Sequence, residues 1–162
     1  MVLSIIGVCT DRFSDCYDPN PDYAHITWDD INELIGSGHV EIQNHTYNLH
    51  SITKTRTGAA KKKGESLSDY EQLLTEDIGP FQQLIFEKTG ITPSTFTYPY
   101  GTVCSDSVKI LKKLGFKASL TTYGDTNVIT RDEDCLFCLN RYNRPHGKSL
   151  KGIMEILNKR KK

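Results

Sequence analysis

The amino-acid sequence predicts an α/β fold in which parallel strands alternate with crossover helices. Short apolar runs typical of strands recur along the chain, and segments with a helical spacing of apolar residues separate them. A helix between two strands returns the chain to the starting end of the sheet, so this order favours parallel pairing. The pattern leaves open whether the sheet stays open or closes into a barrel.

The first quarter of the chain contains two predicted strands and one predicted helix. Residues 2–8 are apolar and end in glycine and polar residues, as in a buried strand. The Asp-, Asn- and Pro-rich residues 10–21 predict a loop in which the aspartates make turns. Thr27 and Asp30 have the spacing of a capping box and predict a short helix. Residues 40–43 alternate apolar and polar side chains, which predicts a half-buried strand.

A long connection and a long helix follow. Residues 51–64 lack periodicity, which predicts either a flexible loop or a lid on the substrate side. Ser68 and Glu71 form a second capping box, and the helical spacing after them continues to Lys88. The Gly79-Pro80 dipeptide should kink or interrupt this helix.

The rest of the chain repeats the strand and helix order. The remaining predicted strands lie at residues 94–98, 116–123 and 135–142, and the remaining predicted helices run from Ser105 or Asp106 to Gly115 and over residues 150–157. The chain of 162 residues is therefore interpreted as one domain, in which residues 155–162 form a basic, solubilising tail.

Two histidines follow the second predicted strand directly. His45 and His50 are five residues apart, so they would not share a helical face, and the spacing suits a turn. The carboxyl end of a strand is where α/β folds place ligands. Neutral imidazole is a common zinc ligand, so the pair is a candidate metal site, although histidines this close also occur in ordinary surface loops.

The composition excludes several classes of partner. Hydrophobic residues make up 37% and charged residues 25%, and 20 basic residues balance 20 acidic ones. A protein that binds nucleic acid or an acidic membrane usually has a positive excess, so we expect no nucleic-acid partner. No apolar run reaches the length of a membrane span, and residues 2–8 lack the flanks of a signal peptide.

The five cysteines do not predict a disulfide scaffold, because their number is odd and their spacing has no framework pattern. Cys135 and Cys138 have the spacing of a redox or half-zinc motif. Their apolar neighbours instead favour a buried strand.

Several segments, in the right order and spacing, resemble the polysaccharide deacetylases, which form carbohydrate esterase family four. Residues 26–31 and 37–50, which end in His-Thr-Tyr-Asn-Leu-His, resemble the second motif of that family. Residues 96–101, Phe-Thr-Tyr-Pro-Tyr-Gly, resemble the third motif, and residues 109–118 resemble the helix and strand after it. The similarity extends from the first strand to about Arg144.

The resemblance implies a distorted (β/α)7 barrel and metal-assisted hydrolysis of N-acetyl or O-acetyl groups on an acetylated polysaccharide or oligosaccharide. A divalent metal, usually zinc, would be held by one aspartate and by His45 and His50. The match places a backbone oxyanion donor at Tyr100, and Pro99 and Tyr100 would contact the substrate. Pro99 and Tyr100 also fit an ordinary turn with a packed aromatic ring.

The sequence departs from the family at three places. The Thr-Phe-Asp-Asp-Gly motif, which carries the general base and the third metal ligand, does not occur in these residues. Thr97 stands where many members carry arginine, and Arg141 stands at the histidine of the Leu-x-His motif. His146 is the histidine nearest to that motif and is a candidate general acid, although a loop histidine beside proline and glycine is often incidental.

These departures give two expectations. One is a deacetylase domain whose recorded sequence lacks the first strand and its Asp-Asp motif through truncation or a misplaced start. The other is a short protein that binds glycan or a partner without catalysis. A barrel without its first strand exposes sheet edges, which favours pairing between copies of the chain. The family usually acts at the cell surface, and this chain shows no signal that assigns a compartment.

Overall fold

The predicted parallel sheet with crossover helices is confirmed by a computed structural model that describes residues 1–143 and 145–160. Four strands pair in the order β1-β2-β3-β4, and every pairing is parallel. The strands are β1 (Val2–Ile5), β2 (Glu41–Asn44), β3 (Thr95–Thr97) and β4 (Ala118–Leu120).

Five α-helices accompany the sheet in the described residues. They are α1 (Gly7–Asp15), α2 (Trp28–Gly36), α3 (Leu67–Thr89), α4 (Ser105–Lys113) and α5 (Leu150–Arg160). Two short 3-10 turns lie at Pro99–Gly101 and Glu133–Leu136. Among the described helices, none combines the length and the apolar character that a membrane crossing needs. The last two residues of the predicted basic tail, Lys161 and Lys162, lie outside the described residues.

The outer face of the sheet is apolar and packs against the helices. Ile5, Ile42 and Phe96 are each no more than 2% exposed and belong to the two hydrophobic clusters of the core. Helix α3 crosses both clusters, and its buried positions recur at helical spacing: Tyr70, Leu74, Ile78, Phe81 and Ile85. The core therefore lies between the sheet and the helices.

The inner face of the sheet is polar. Successive side chains of a strand point to opposite faces, and the residues that alternate with the apolar ones are polar. The Ser4 and Thr97 hydroxyls are 2.7 Å apart, although they lie on strands separated by β2. The Gln43 Oε1 atom accepts a hydrogen bond of 2.6 Å from the Thr95 N–H. These polar groups satisfy one another on one face of the four-stranded sheet.

The loop predicted at residues 10–21 is wrong in its first part, because helix α1 continues to Asp15. The polar side chains that suggested a loop make tertiary contacts instead. Asp11 accepts hydrogen bonds from Trp28 Nε1 at 2.8 Å and from the Tyr47 hydroxyl at 3.0 Å, and Thr10 is 1% exposed. Helix propensity is a weak signal that such contacts override.

Two details of helix α3 also differ from the prediction. Its N-cap is Ser66, whose hydroxyl accepts from the Asp69 N–H, and not Ser68. The helix runs through Pro80 without interruption. The neighbours Ile78 and Phe81 are buried in the core, and their packing offsets the backbone hydrogen bond that proline cannot donate.

The strand predicted at residues 135–142 is reduced to a short parallel bridge between Leu139 and Leu120. Cys138 has a φ of 61°, which is incompatible with a continuous extended strand. Cys135 and Cys138 are half-buried, and Cys138 packs against the core cluster around Tyr98. The expectation of a fully buried strand is therefore wrong for this pair.

The start of helix α2 and the ends of helices α3 and α4 are predicted correctly. Thr27 and Asp30 form a complete capping box before helix α2. Gly90 and Gly115, at the ends of α3 and α4, have φ values of 72° and 89°, the left-handed conformation that glycine adopts readily.

We predict that Gly7→Ala destabilises the fold by about 1–3 kcal/mol. A Cβ atom at Gly7 would lie 2.3 Å from Tyr47 Cδ2 and 2.7 Å from Phe81 Cε2, so at least one ring must move. Gly36→Ala is the matched control, since no atom lies within 4 Å of its Cβ position and alanine favours a helix by up to about 1 kcal/mol. Urea unfolding of both variants measures the difference, and equal stabilities would contradict the packing argument.

Candidate functional site

The two predicted histidines lie in a turn at the carboxyl end of β2, here called the histidine turn (residues 45–50). His45 follows the last residue of the strand, and its backbone N–H donates to Ile5 O at 3.0 Å. The imidazoles of His45 and His50 face each other with ring centroids 4.8 Å apart and ring planes at 59°. The turn therefore brings both side chains together, as the spacing predicts.

The ring of His45 is held in one tautomer by the neighbouring strand. Its Nδ1 lies 2.7 Å from the carbonyl oxygen of Thr97, which can only accept, so Nδ1 carries the proton. This leaves the lone pair of Nε2 free for a ligand. Burial lowers the pKa of His45 from 6.5 to about 4, and the charges of His50 and Arg141 act in the same direction. The Thr97 hydrogen bond opposes the shift, and His45 remains neutral at pH 7.

The backbone of the histidine turn is fixed from three sides. Thr46 has a φ of 72°, and its N–H donates to the Asn44 side chain at 2.8 Å. The first N–H groups of helix α1, from Gly7 and Val8, donate to Thr46 O at 3.1 Å and to Tyr47 O at 2.9 Å. The third contact is a hydrogen bond from the Asn48 N–H to Asp77 on helix α3. The sequence analysis did not identify Asp77, because a contact across 29 residues leaves no local signal.

Tyr100 lies beside the histidine turn. Its ring centroid is 4.5 Å from that of His50, and its hydroxyl donates to His50 O at 3.3 Å. Its φ of 58° is unusual for a residue other than glycine, and such strained positions concentrate at functional sites. Tyr100 belongs to a separate turn at residues 98–102, here called the tyrosine turn. Two backbone hydrogen bonds close it, from Gly101 N–H to Tyr98 O and from Thr102 N–H to Pro99 O.

The segment at residues 51–64 supports this tyrosine turn. Gly58 packs so closely that a Cβ atom there would lie 2.7 Å from Pro99 O. The Thr102 hydroxyl donates to Thr57 O at 3.0 Å, and an Arg56–Glu65 ion pair spans the segment. The predicted loop is thus in contact with Pro99 and Thr102.

The two residues at and near the position of the Leu-x-His motif occupy different places. Arg141 is close enough for its charge to lower the pKa of His45, and its Nε–H donates to Thr121 O at 2.6 Å. His146 lies in an exposed turn closed by the Lys148 N–H and Pro145 O. Across residues 1–143 and 145–160, no hydrogen bond, ion pair or ring contact joins His146 to His45 or His50. The structure thus brings His45, His50, Pro99 and Tyr100 together but does not add His146.

The donor set fits a divalent metal in part. Two imidazoles, one of them locked with a free Nε2, are suitable zinc ligands. In the described part of the chain, however, no group of three or more His, Cys, Asp or Glu side chains is arranged to hold a metal ion. The described residues thus offer two candidate ligands, His45 and His50.

Comparison with known proteins identifies a matching family. The sequence profile of the family described as polysaccharide deacetylase matches residues 10–119. The poly-β-1,6-N-acetyl-D-glucosamine N-deacetylase of Escherichia coli K12 is 26% identical over 108 residues, which are 59% of this chain and 16% of that protein.

Solved structures share the fold. A de-N-acetylase from Aggregatibacter actinomycetemcomitans superposes with a TM-score of 0.76 at 21% identity, covering 96% of this chain and 64% of that one. The BpsB deacetylase domain from Bordetella bronchiseptica gives a TM-score of 0.68 at 22% identity, covering 87% of this chain and 60% of that one. The chain thus has the predicted deacetylase-type (β/α)7 architecture with an incomplete barrel, and it spans less than two thirds of these proteins.

We predict that His45 makes the metal-free fold less stable in acid. Because the pKa of His45 is lowered to about 4, the unfolded chain binds more protons than the folded one below pH 6.5. The free energy of unfolding is therefore highest above pH 6.5. It decreases by about 3 kcal/mol in total as the pH falls to about 4.

Urea unfolding with a chelator present, at several pH values, tests this prediction. His45→Gln should remove that part of the pH dependence, whereas His25→Gln, at an exposed histidine, should keep it. The same pH dependence in wild type and His45→Gln would contradict the assignment.

Proposed function

The chain belongs to the polysaccharide deacetylase family, and from this premise we propose that the histidine turn is part of a site for metal-dependent deacetylation of a polysaccharide. The observation that carries the proposal is the pair of imidazoles 4.8 Å apart, one of which is fixed as a neutral ligand by Thr97 O. The matched relative is an N-deacetylase of a β-1,6-linked N-acetylglucosamine polymer, so an N-acetyl group is the proposed target. An O-acetyl group is the second possibility.

His45 and His50 would hold the metal, which we propose to be zinc because the ligands are imidazoles. When bound, such an ion polarises the acetyl carbonyl and lowers the pKa of the attacking water. His45 contributes a ligand atom whose orientation is set before any metal arrives, because its Nδ1 proton is engaged by Thr97 O.

The tyrosine turn provides the second part of the proposed site. The Tyr100 backbone N–H would donate to the oxygen of the acetyl group as negative charge develops there. The Tyr100 ring is 41% exposed and lies against His50, so it presents an aromatic surface to a sugar ring. Pro99 is buried and contacts Gly58, which holds this turn in place.

The proposed hydrolysis also requires proton transfers. Hydrolysis needs a base that takes a proton from water and an acid that protonates the leaving nitrogen. The 162 residues contain no Thr-Phe-Asp-Asp-Gly motif to provide the base, and His146 remains the predicted acid. Arg141 places a cation near His45, where it would favour a negatively charged reaction intermediate.

A second candidate function is binding of glycan or of a protein partner without catalysis. It is favoured by one observation: among the described residues, no carboxylate joins the two histidines to form a three-ligand set. A two-ligand site holds metal more weakly than the three protein ligands of a typical catalytic zinc centre.

Isothermal titration with zinc and an assay of acetate release from N-acetylglucosamine oligosaccharides separate the two functions. We expect one zinc ion per chain and metal-dependent acetate release. His45→Ala and His50→Ala should each reduce zinc affinity by more than the 10–100-fold that loss of an outer-shell partner typically costs.

His39→Ala is the matched control, because His39 is an exposed histidine at the opposite end of β2. It should leave zinc binding and acetate release unchanged. Oligosaccharide binding without acetate release, at any zinc concentration, would support the non-catalytic function instead.

A further inference from the structure

We propose that Asp77 is a positioning residue that holds the histidine turn in the geometry needed for a metal ligand pair. Asp77 lies on helix α3, far from the turn in sequence, and half-buried beneath it. The effect on metal binding rests on the proposed function. The two hydrogen bonds that Asp77 accepts from the histidine turn, here called the brace, are a property of the fold.

The two oxygens of the Asp77 carboxylate bind two successive peptide groups of the turn. Oδ1 accepts from Tyr47 N–H and Oδ2 accepts from Asn48 N–H, each at 2.8 Å. Both N–H groups lie between His45 and His50, so the carboxylate fixes the segment that sets the separation of the two rings. Hydrogen bonds to an ionised acceptor are about twice as strong as those between neutral groups.

Helix α1 holds the same segment from the opposite side. The Tyr47 peptide carbonyl accepts from Val8 N–H at 2.9 Å, and the Tyr47 N–H donates to Asp77. Tyr47 is therefore fixed at both of its backbone polar groups by two different helices. Movement of either helix would be transmitted to His45 and His50, which flank this residue.

Among the described residues, no basic side chain forms an ion pair with the Asp77 carboxylate. The ion pairs of the described residues join Arg56 with Glu65, Lys61 with Asp106, Lys112 with Asp134 and Lys113 with Glu71. A half-buried carboxylate outside these pairs depends on hydrogen bonds for its stabilisation. Its two hydrogen bonds both serve the histidine turn.

The test is Asp77→Asn, which keeps the shape of the side chain but replaces one acceptor oxygen by an NH₂ group. That group would face a backbone N–H, so one hydrogen bond is lost and the other weakens. We expect amide hydrogen exchange at Tyr47 and Asn48 to accelerate about tenfold or more, relative to core amides of β2. We also expect zinc affinity of the folded protein to fall about tenfold.

Glu76→Gln is the matched control, because it removes the same charge from the adjacent position of α3. Glu76 is exposed and accepts from the Gln72 side chain of the same helix, so exchange at the turn and zinc affinity should stay as in wild type. Asp77→Glu keeps the carboxylate and should recover part of both losses.

The two measurements also separate this inference from the proposed function. If wild type binds no zinc, the proposed function fails, while faster exchange at Tyr47 and Asn48 in Asp77→Asn still supports the brace. If Asp77→Asn behaves like Glu76→Gln in exchange and in zinc affinity, the inference is overturned. A loss of global stability that accelerates core amides equally, with zinc affinity unchanged, overturns it as well.

Discussion

The parallel register of the sheet is the constraint on which the candidate site depends. It sets Ile5 beside Asn44 and Asn44 beside Phe96, so the residues that follow these strands meet at one edge. The bonds from His45 to Thr97 O and from Gly7 N–H to Thr46 O both require this alignment. A slip of one residue would turn His45 to the face that packs against the helices.

The division of the sheet into an apolar outer face and a polar inner face explains how the site remains accessible. Burial of Ile42 and Phe96 against the helices drives folding. The inner face needs only to satisfy its own polar groups, as Ser4 and Thr97 do for each other. The histidine turn continues the inner face beyond the end of β2, so its imidazoles lie outside the hydrophobic core while its backbone is anchored to it.

Local chemistry made part of this structure predictable. The capping box of Thr27 and the position of His45 after a strand depend on neighbours within a few residues, and both were predicted correctly. The helical state of residues 10–15 and the role of Asp77 depend on partners from distant elements. No periodicity or motif encodes that Asp11 accepts a hydrogen bond from Trp28. Tertiary contacts therefore decided the features that the sequence analysis missed.

Hydrogen bonds from three parts of the protein hold the backbone of the histidine turn. Many metal sites form only when the ion binds, because the ligands otherwise gain entropy by dispersing. Here the left-handed Thr46 costs about 1–3 kcal/mol. Hydrogen bonds from helix α1, with Asn44 and with Asp77 offset that cost. If the turn binds a metal as proposed, the two histidines would lose little freedom on binding, which would partly compensate for the small number of ligands.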